Sequence, residues 1–360
     1  MNICLLETFY TGSHKAWAEG IKEHLQANVH ILNLSGKYWK WRMHGGAVSL
    51  AKKFNALDQE FDLILATDMI DLNIFLAQTR QKTHDIPVAL YFHENQLSYP
   101  WSASDPDTQN GRNLHYGFIN YSSALSADHI FFNSKYHRSS FLSEVDRFLH
   151  LYPDERNLDD LALLHEKSEV LQLGVNLQAL DEFKAIKSSG PVQVLWNHRW
   201  EYDKNPKEFF DCLAQLKDEG LDFQLAVVGE RFAQEPKEFR AAKKHFSNEI
   251  VHWGYVESAA EYAKILWASD VLPVSSIQDF FGQSIVEAAF CEVTPLLPRR
   301  LTYPELFSED FLYDDLTLSL RKLLQSNTFK SARSEVSKYD WSKMSAVYLK
   351  RFENVVDGFR

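Results

Sequence analysis

Short apolar runs alternate with helix-patterned segments along almost the whole chain, and that alternation leaves few folds open. Residues 3–6, 29–34, 61–66, 88–92, 129–132 and 169–173 read as strands in the first half. Trp17, Ile21 and Leu25 recur between them at helical spacing, as do Ile119 and Ala124. Strands separated by helices imply a mostly parallel sheet, since a parallel return needs a crossover long enough to carry a helix. Leu173-Gly-Val-Asn176 and the polar stretch 184–190 read as a linker. A second series follows at 192–196, 223–228, 250–253, 271–274 and 293–297. The expected architecture is α/β. Two Rossmann-like domains, 1–178 and 179–340, face a central cleft, and a last helix in 341–360 crosses back to the first. A length of 360 residues, more than one core usually serves, agrees with two domains.

Composition removes several function classes. The three cysteines, Cys4, Cys212 and Cys291, are odd in number and far apart, which fits neither a disulfide framework nor a CxxC zinc knot. No apolar run reaches the roughly 18 residues of a membrane span. Met1 to Glu7 lacks the basic start of a signal peptide. A cytoplasmic protein with no membrane partner is expected. The net charge of −11 argues globally against a polyanionic partner. Locally the balance reverses. His24 to Leu57 holds no acid, where the chain average of 49 in 360 would place between four and five. Lys37, Lys40, Arg42, Lys52 and Lys53 lie there instead.

Asp279-Phe-Phe-Gly-Gln-Ser-Ile-Val-Glu287 sets two carboxylates eight residues apart across a glycine turn that opens an apolar helix. A strand precedes it. One acid therefore falls in a loop and one on a helix, at the carboxyl end of a parallel sheet, where open α/β folds bind ligands. The amides around Phe281, Gly282, Gln283 and Ser284 present a helix amino end to a phosphate. An anion at one end and hydroxyls at the other describe a nucleotide sugar. Arg199 and Lys204 sit in Asn197-His-Arg-Trp-Glu-Tyr-Asp-Lys-Asn-Pro206, again between a strand and a helix. A guanidinium fork and an ammonium there would neutralise a diphosphate. The plain alternative is a loop of solvated charges. Gly229 and Glu230 end another strand, and glycine there permits close approach of a ligand.

In the first half, Thr11-Gly12-Ser13-His14-Lys15 follows a strand and opens a helix. Its amides, hydroxyl and imidazole could meet phosphate or acceptor. Equally, Ser13 could be an ordinary N-cap. His93-Glu94-Asn95-Gln96 follows the apolar strand 88–92, and four polar residues at the end of a buried strand are hard to explain by packing. His93 would hydrogen-bond a sugar or steady developing positive charge, with Glu94 orienting it. A surface turn is the alternative. Lys37-Tyr-Trp39-Lys40-Trp41-Arg42-Met-His44 interleaves base and aromatic. That suits single-stranded nucleic acid, because bases stack on rings while phosphates meet Lys and Arg. An amphipathic segment with buried Trp is the alternative. No metal-site spacing stands out, no Ser-His-Asp or Cys-His arrangement can be assigned, and Asp105 and Asp107 read as a solvated turn.

The second half, with Asp279-x7-Glu287, Arg199, Lys204 and Trp253-Gly-Tyr255, resembles glycosyltransferase family 4 of the GT-B fold. That family carries Glu-x7-Glu, so Asp279 stands one methylene short of its pattern. The first half is more specific. Glu7-Thr-Phe-Tyr-Thr-Gly-Ser-His-Lys15, Lys37 to Arg42, Phe92-His-Glu-Asn-Gln-Leu-Ser-Tyr-Pro100 and Trp196 to Pro206 are similar to the tRNA-queuosine α-mannosyltransferase group, over nearly the full chain. The resemblance implies a retaining transfer of mannose from GDP-mannose to the cyclopentene-diol of queuosine at the wobble position of tRNA-Asp. It implies no cofactor and no metal. It gives catalytic roles to His93, Arg199, Lys204 and Asp279. Gly12, Ser13, Gly229, Glu230, Tyr255, Phe281, Gly282, Gln283, Ser284 and Glu287 become the donor site. His14, Lys37, Trp39, Lys40, Trp41, Arg42, Glu94, Asn95 and Gln96 become the tRNA acceptor site.

Two other readings stay open. One keeps the enzyme but gives it another nucleotide sugar, or a lipid or glycan acceptor. A lipid acceptor calls for an exposed amphipathic helix near the cleft, whereas the acid-free stretch carries Gly45-Gly46 and tryptophans two residues apart. The other is a non-catalytic nucleotide-sugar or tRNA binder, of which Asp279 is the one sign.

Overall fold

The computed structural model describes residues 1–102, 105–109, 113–185, 187, 190–230 and 235–359. The chain divides into two units, Met1–Val175 with Trp341–Arg360, and Asn176–Asp340. The first holds six parallel strands: β1 (Asn2–Tyr10), β2 (Asn28–Ser35), β3 (Leu63–Thr67), β4 (Val88–Phe92), β5 (His129–Phe132) and β6 (Ser168–Val170). Their sheet order is β2-β1-β3-β4-β5-β6. β3 and β4 are buried at every residue, as central parallel strands between helices must be. The chain steps from β1 to β2 on one side, then to β3 on the other. That reversal opens a crevice beyond the carboxyl ends of β1 and β3.

β1 runs past the expected 3–6 because two polar residues continue it. Glu7 and Thr8 are both fully buried. Glu7 Oε1 accepts from Phe9 N at 2.8 Å, and the Thr8 hydroxyl donates to Met69 O. The following helix begins at Gly12, with Thr11 in the N-cap position making no side-chain cap, so Ser13 is not the N-cap.

Residues 341–359 complete this unit as a helix, Trp341–Phe359, that buries Trp341, Met344, Tyr348 and Phe352. Trp17 Nε1 donates to Tyr348 Oη at 2.9 Å. Trp341 lies so close to Gly20 and Gly174 that a Cβ at either would come within 2.2 and 2.5 Å of its indole.

The second unit repeats the plan with β7 (Val192–Trp196), β8 (Phe223–Val228), β9 (Ile250–Gly254), β10 (Val271–Pro273), β11 (Thr294–Pro298) and β12 (Leu312–Tyr313), ordered β12-β11-β10-β7-β8-β9. Its order reverses between β7 and β10. β12, two residues long, has no sequence signature. Trp196, Phe209, Phe210 and Phe239 pack its core. The division between the units falls after Val175, three residues before 178. Leu177 N and Gln178 N both donate to Asp340 Oδ2, at 3.0 and 2.9 Å, which holds them in the second unit. Among the described residues no helix is long and apolar enough to cross a membrane.

Candidate active site

At the β7/β10 crevice of the second unit, the turn after β7 supplies Asn197, His198, Arg199 and Lys204. Trp196 Nε1 fixes that turn by donating to His198 O at 3.0 Å. Trp200 N donates to Glu230 O at 3.0 Å. Gly229, at φ +130°, lies against this turn: a Cβ would fall 2.0 Å from His198 O. At Gly229 the chain's own backbone makes a close approach, and Glu230 holds the turn through its carbonyl.

Lys204 is buried. Its Nζ donates to Gln278 O at 2.9 Å and lies 3.3 Å from Asp203 Oδ2 and 3.5 Å from Asp279 Oδ2. Burial alone would lower its pKa, but the Asp279 and Asp203 carboxylates outweigh it and hold the ammonium charged. Asp279 Oδ2 also accepts from Tyr303 Oη at 3.1 Å. Gly282, at φ +78°, turns the chain into the helix Gln283–Phe290. That sign of φ is what a glycine makes cheap. One turn in, Glu287 accepts from Gln283 Nε2 at 2.8 Å and Tyr262 Oη at 3.0 Å, and burial raises its pKa. Arg199 stays half exposed, 3.2 Å from Glu201 Oε2.

Two neighbours escaped the sequence reading. Asn197 Nδ2 donates to Ser284 O at 2.7 Å, tying the β7 turn to the helix start. His198 Nδ1 meets Ser284 Oγ at 3.2 Å, and its buried Nε2 has no hydrogen-bond partner among the described residues. Burial, then the Lys204 charge, push His198 down to about 3, so it is a neutral imidazole. The argument that singled out His93 to Gln96, polar residues straight after a buried strand, applies equally to Asn197 and His198. Phe281 is buried edge-on against Tyr339, 5.1 Å between centroids, which leaves its backbone for the donor role expected of it. Tyr255 follows the edge strand β9, exposed and two strands from β7.

In the first unit the ends of β1, β3 and β4 gather a second polar group. Glu7 Oε2 lies 3.1 Å from His14 Nδ1. Burial works against charging His14, but the Glu7 carboxylate, with Asp68 and Glu94 behind it, raises its pKa to about 9. His93 lies over His14, centroids 4.3 Å apart, and edge-on to Trp17 at 4.6 Å. Burial and the His14 charge keep His93 neutral, and its Nε2 has no hydrogen-bond partner among the described residues. Asp68 Oδ1 accepts from His93 N at 2.8 Å. Glu94 accepts from Gln96 Nε2 at 2.8 Å. Asn95 is fully buried; its oxygen accepts from Ser98 N and Oγ at 2.9 Å each, and its Nδ2 has no hydrogen-bond partner among the described residues. Gly12 has open space around it, and Ser13 is exposed in the first helical turn. Glu7, His14 and His93 also place ligand atoms within 4.8 Å of one another, a candidate metal trio that no sequence spacing revealed. The rings of His14 and His93 lie 40° apart over one another, a stacking geometry that competes with convergence on one ion.

The basic aromatic segment splits. Tyr38 and Trp41 are 78% and 63% exposed, and Lys37 is exposed beside them. Trp39 instead packs against Tyr116 and Trp101, at 5.1 and 5.7 Å. Lys40 is held by Asp105 at 2.6 Å and Asp107 at 2.5 Å. Those two acids are not the solvated turn they resemble in sequence. Arg42 donates to Ser35 O and Oγ, at 3.0 and 3.1 Å.

Residues 2–175 match a family model described as tRNA-queuosine alpha-mannosyltransferase N-terminal, and residues 178–315 match glycosyl transferases group 1. A tRNA-queuosine alpha-mannosyltransferase of Drosophila melanogaster is 30% identical over 99% of this chain and 91% of its own. A GDP-mannose-dependent alpha-(1-6)-phosphatidylinositol dimannoside mannosyltransferase of Mycobacterium tuberculosis is 26% identical over 33% of this chain and 31% of its own. Among solved structures, Anabaena Alr3699/HepE in complex with UDP aligns at TM-score 0.68 and 15% identity, covering 98% of this chain and all of that one. Trehalose-6-phosphate from E. coli bound with UDP-2-fluoro glucose, as that structure is described, aligns at 0.68 and 11%, covering 98% and 99%. These identities carry the fold alone, which is GT-B.

Proposed function

The chain belongs to the tRNA-queuosine alpha-mannosyltransferases, and we propose that it moves mannose from GDP-mannose to the cyclopentene-diol of queuosine at the wobble position of tRNA-Asp. The observation that carries the donor half is the convergence of Lys204, Asp279 and the helix amino end at Gly282 on one crevice, with Glu287 one turn further in. An ammonium kept charged in a buried place and, beside it, a helix amino end with no side-chain cap form a site for a diphosphate. The relative whose name is GDP-mannose-dependent supports a guanosine donor.

In this reading Glu287 holds the ribose hydroxyls. Lys204, Arg199 and the amides of Gly282 to Ser284 hold the diphosphate and stabilise the charge it gains on leaving. Asp279 contacts the sugar. The acceptor hydroxyl attacks the face the diphosphate leaves, and the departing phosphate oxygen takes its proton, so no enzymic nucleophile is used. Those cationic and amide groups do the work a metal would do. Exposed Tyr38 and Trp41, with Lys37, suit unpaired bases of an anticodon loop.

Radiolabelled GDP-mannose incubated with the protein and total tRNA tests the whole reading. Label should enter queuosine-containing tRNA-Asp and be absent from tRNA of queuine-starved cells. Label in both preparations, in lipid, or in neither would overturn it. Activity that vanished in EDTA and returned with magnesium would overturn the metal-free part alone.

A further inference from the structure

Tyr303 is 0% exposed and opens a short helix, Tyr303–Leu306, that follows β11. The turn between the two is built to place it. Arg300 donates from Nε to Ser276 O at 3.1 Å and from Nη2 to Ser275 O at 3.0 Å. Those carbonyls belong to the segment that leads from β10 to Asp279. Leu301 adopts φ +59°, a left-handed conformation that a residue with a Cβ keeps only where its surroundings impose it. The Tyr303 hydroxyl then donates to Asp279 Oδ2 at 3.1 Å. Lys204 Nζ lies 3.5 Å from the same oxygen. Both fixed partners of the carboxylate are thus spent on Oδ2. Oδ1 has no hydrogen-bond partner among the described residues, and the Asp279 side chain keeps 14% exposure. Burial first, then the Asp279 charge, hold the Tyr303 pKa well above its ordinary value, so the hydroxyl remains a donor.

Resting on the donor reading above, we propose that Tyr303 is a positioning residue for the donor sugar: by holding Oδ2 it presents Oδ1 of Asp279 to a sugar hydroxyl. A carboxylate gripped at one oxygen by donors from two different turns cannot rotate freely about Cβ–Cγ, so its second oxygen has a fixed direction before the donor arrives. Anchoring supplies here what the family's longer glutamate gains from reach. Lys204 alone would be a poor anchor, because the diphosphate competes for its charge. Tyr303 is a neutral donor and leaves the ammonium to the phosphates.

Tyr303→Phe keeps the ring and removes only the hydroxyl. With radiolabelled GDP-mannose and queuosine-containing tRNA-Asp, its kcat/KM for GDP-mannose should fall about tenfold, the effect of one hydrogen bond to a charged group. GDP, which lacks the mannose, should bind within about twofold of wild type by calorimetry. Added to Asp279→Ala, the same substitution should cost less than about twofold, because the hydroxyl then has no carboxylate to hold. A hydroxyl with a merely structural role would cost both backgrounds equally and would show chiefly in the melting temperature. An unchanged kcat/KM in Tyr303→Phe, equal losses in the two backgrounds, or GDP affinity falling in step with kcat/KM overturns the proposal. Where Asp279→Ala does not fold, the contrast between GDP-mannose and GDP in Tyr303→Phe decides alone. If wild type transfers no mannose, the donor reading itself has failed, and this role falls with it.

Discussion

Lys204 Nζ stands 3.5 Å from Asp279 Oδ2, and the two residues come from different turns at the same sheet reversal. The carboxylate shorter than the family's glutamate is thus already engaged by the proposed diphosphate cation. Removing that cation should strike the chemical step. Lys204→Ala is expected to lower kcat about a hundredfold, the usual effect of losing one transition-state donor. Arg199→Ala should lower kcat while tRNA affinity stays within a factor of about two, if Arg199 serves the proposed donor site. Steady-state kinetics beside filter binding decide both, and an unchanged kcat in Arg199→Ala would remove that residue from the site.

Asp279→Asn removes a counter-charge from a buried ammonium. Stability should fall by about 2 kcal/mol, less than the 3–5 of a lone buried pair, because Asp203 remains 3.3 Å from Nζ. Urea denaturation measures it. Asp279→Glu, which restores the family residue, should leave the second unit folded and keep mannose transfer within about tenfold of wild type. Loss of transfer in that variant would mean that the shorter side chain is required here.

The Glu7–His14 pair makes the first unit sensitive to alkali. His14 gains its proton more readily when folded, with a pKa of about 9 against an ordinary 6.5. Its contribution is whole below about pH 6.5 and disappears as pH rises through about 9, a difference of about 3 kcal/mol at most. Asp68, a carboxyl raised by burial, acts in the same direction, because the folded state again binds more protons. Melting temperature should therefore drop between pH 6 and 9.5, and Glu7→Gln should flatten the curve. A wild-type curve as flat as the variant's would contradict the pairing.

Trp39 and Trp41 should separate cleanly. Trp41→Ala is expected to weaken tRNA binding by about 1–3 kcal/mol, the worth of one stacked base, with little change in melting temperature. Trp39→Ala should do the reverse, losing about 2–4 kcal/mol of stability from the cluster with Trp101 and Tyr116. Electrophoretic mobility shifts and denaturation curves on the same preparations give both numbers.

The strands were readable because parallel strands covered on both faces are unbroken apolar runs, as in β3 and β4. β1 was cut short in sequence by Glu7 and Thr8, whose burial depends on partners elsewhere in the chain, Met69 and His14. The donor motif was legible for a local reason: turn, glycine and helix start all lie within nine residues. What stayed hidden was set by distant contacts. Lys40 looks free until Asp105 and Asp107 arrive from 65 and 67 residues away. The need for glycine at 229 is set by the His198 carbonyl, which fills the place a Cβ would take. Asp68, alone after β3, carries no motif and matters only beside His93.

The placement of residues 341–359 has a consequence for synthesis. The first unit needs Trp341 against Gly20 and Gly174, and Tyr348 beneath Trp17. Those residues leave the ribosome only after every strand of the second unit. A nascent chain of 340 residues therefore holds a finished second sheet and a first sheet with an uncovered apolar face at Trp17. Translation order is reversed in folding order: the unit made first is the one closed last. A stop codon at Trp341 would release a chain that keeps every strand of the second unit and leaves the amino-terminal unit without the helix that covers Trp17.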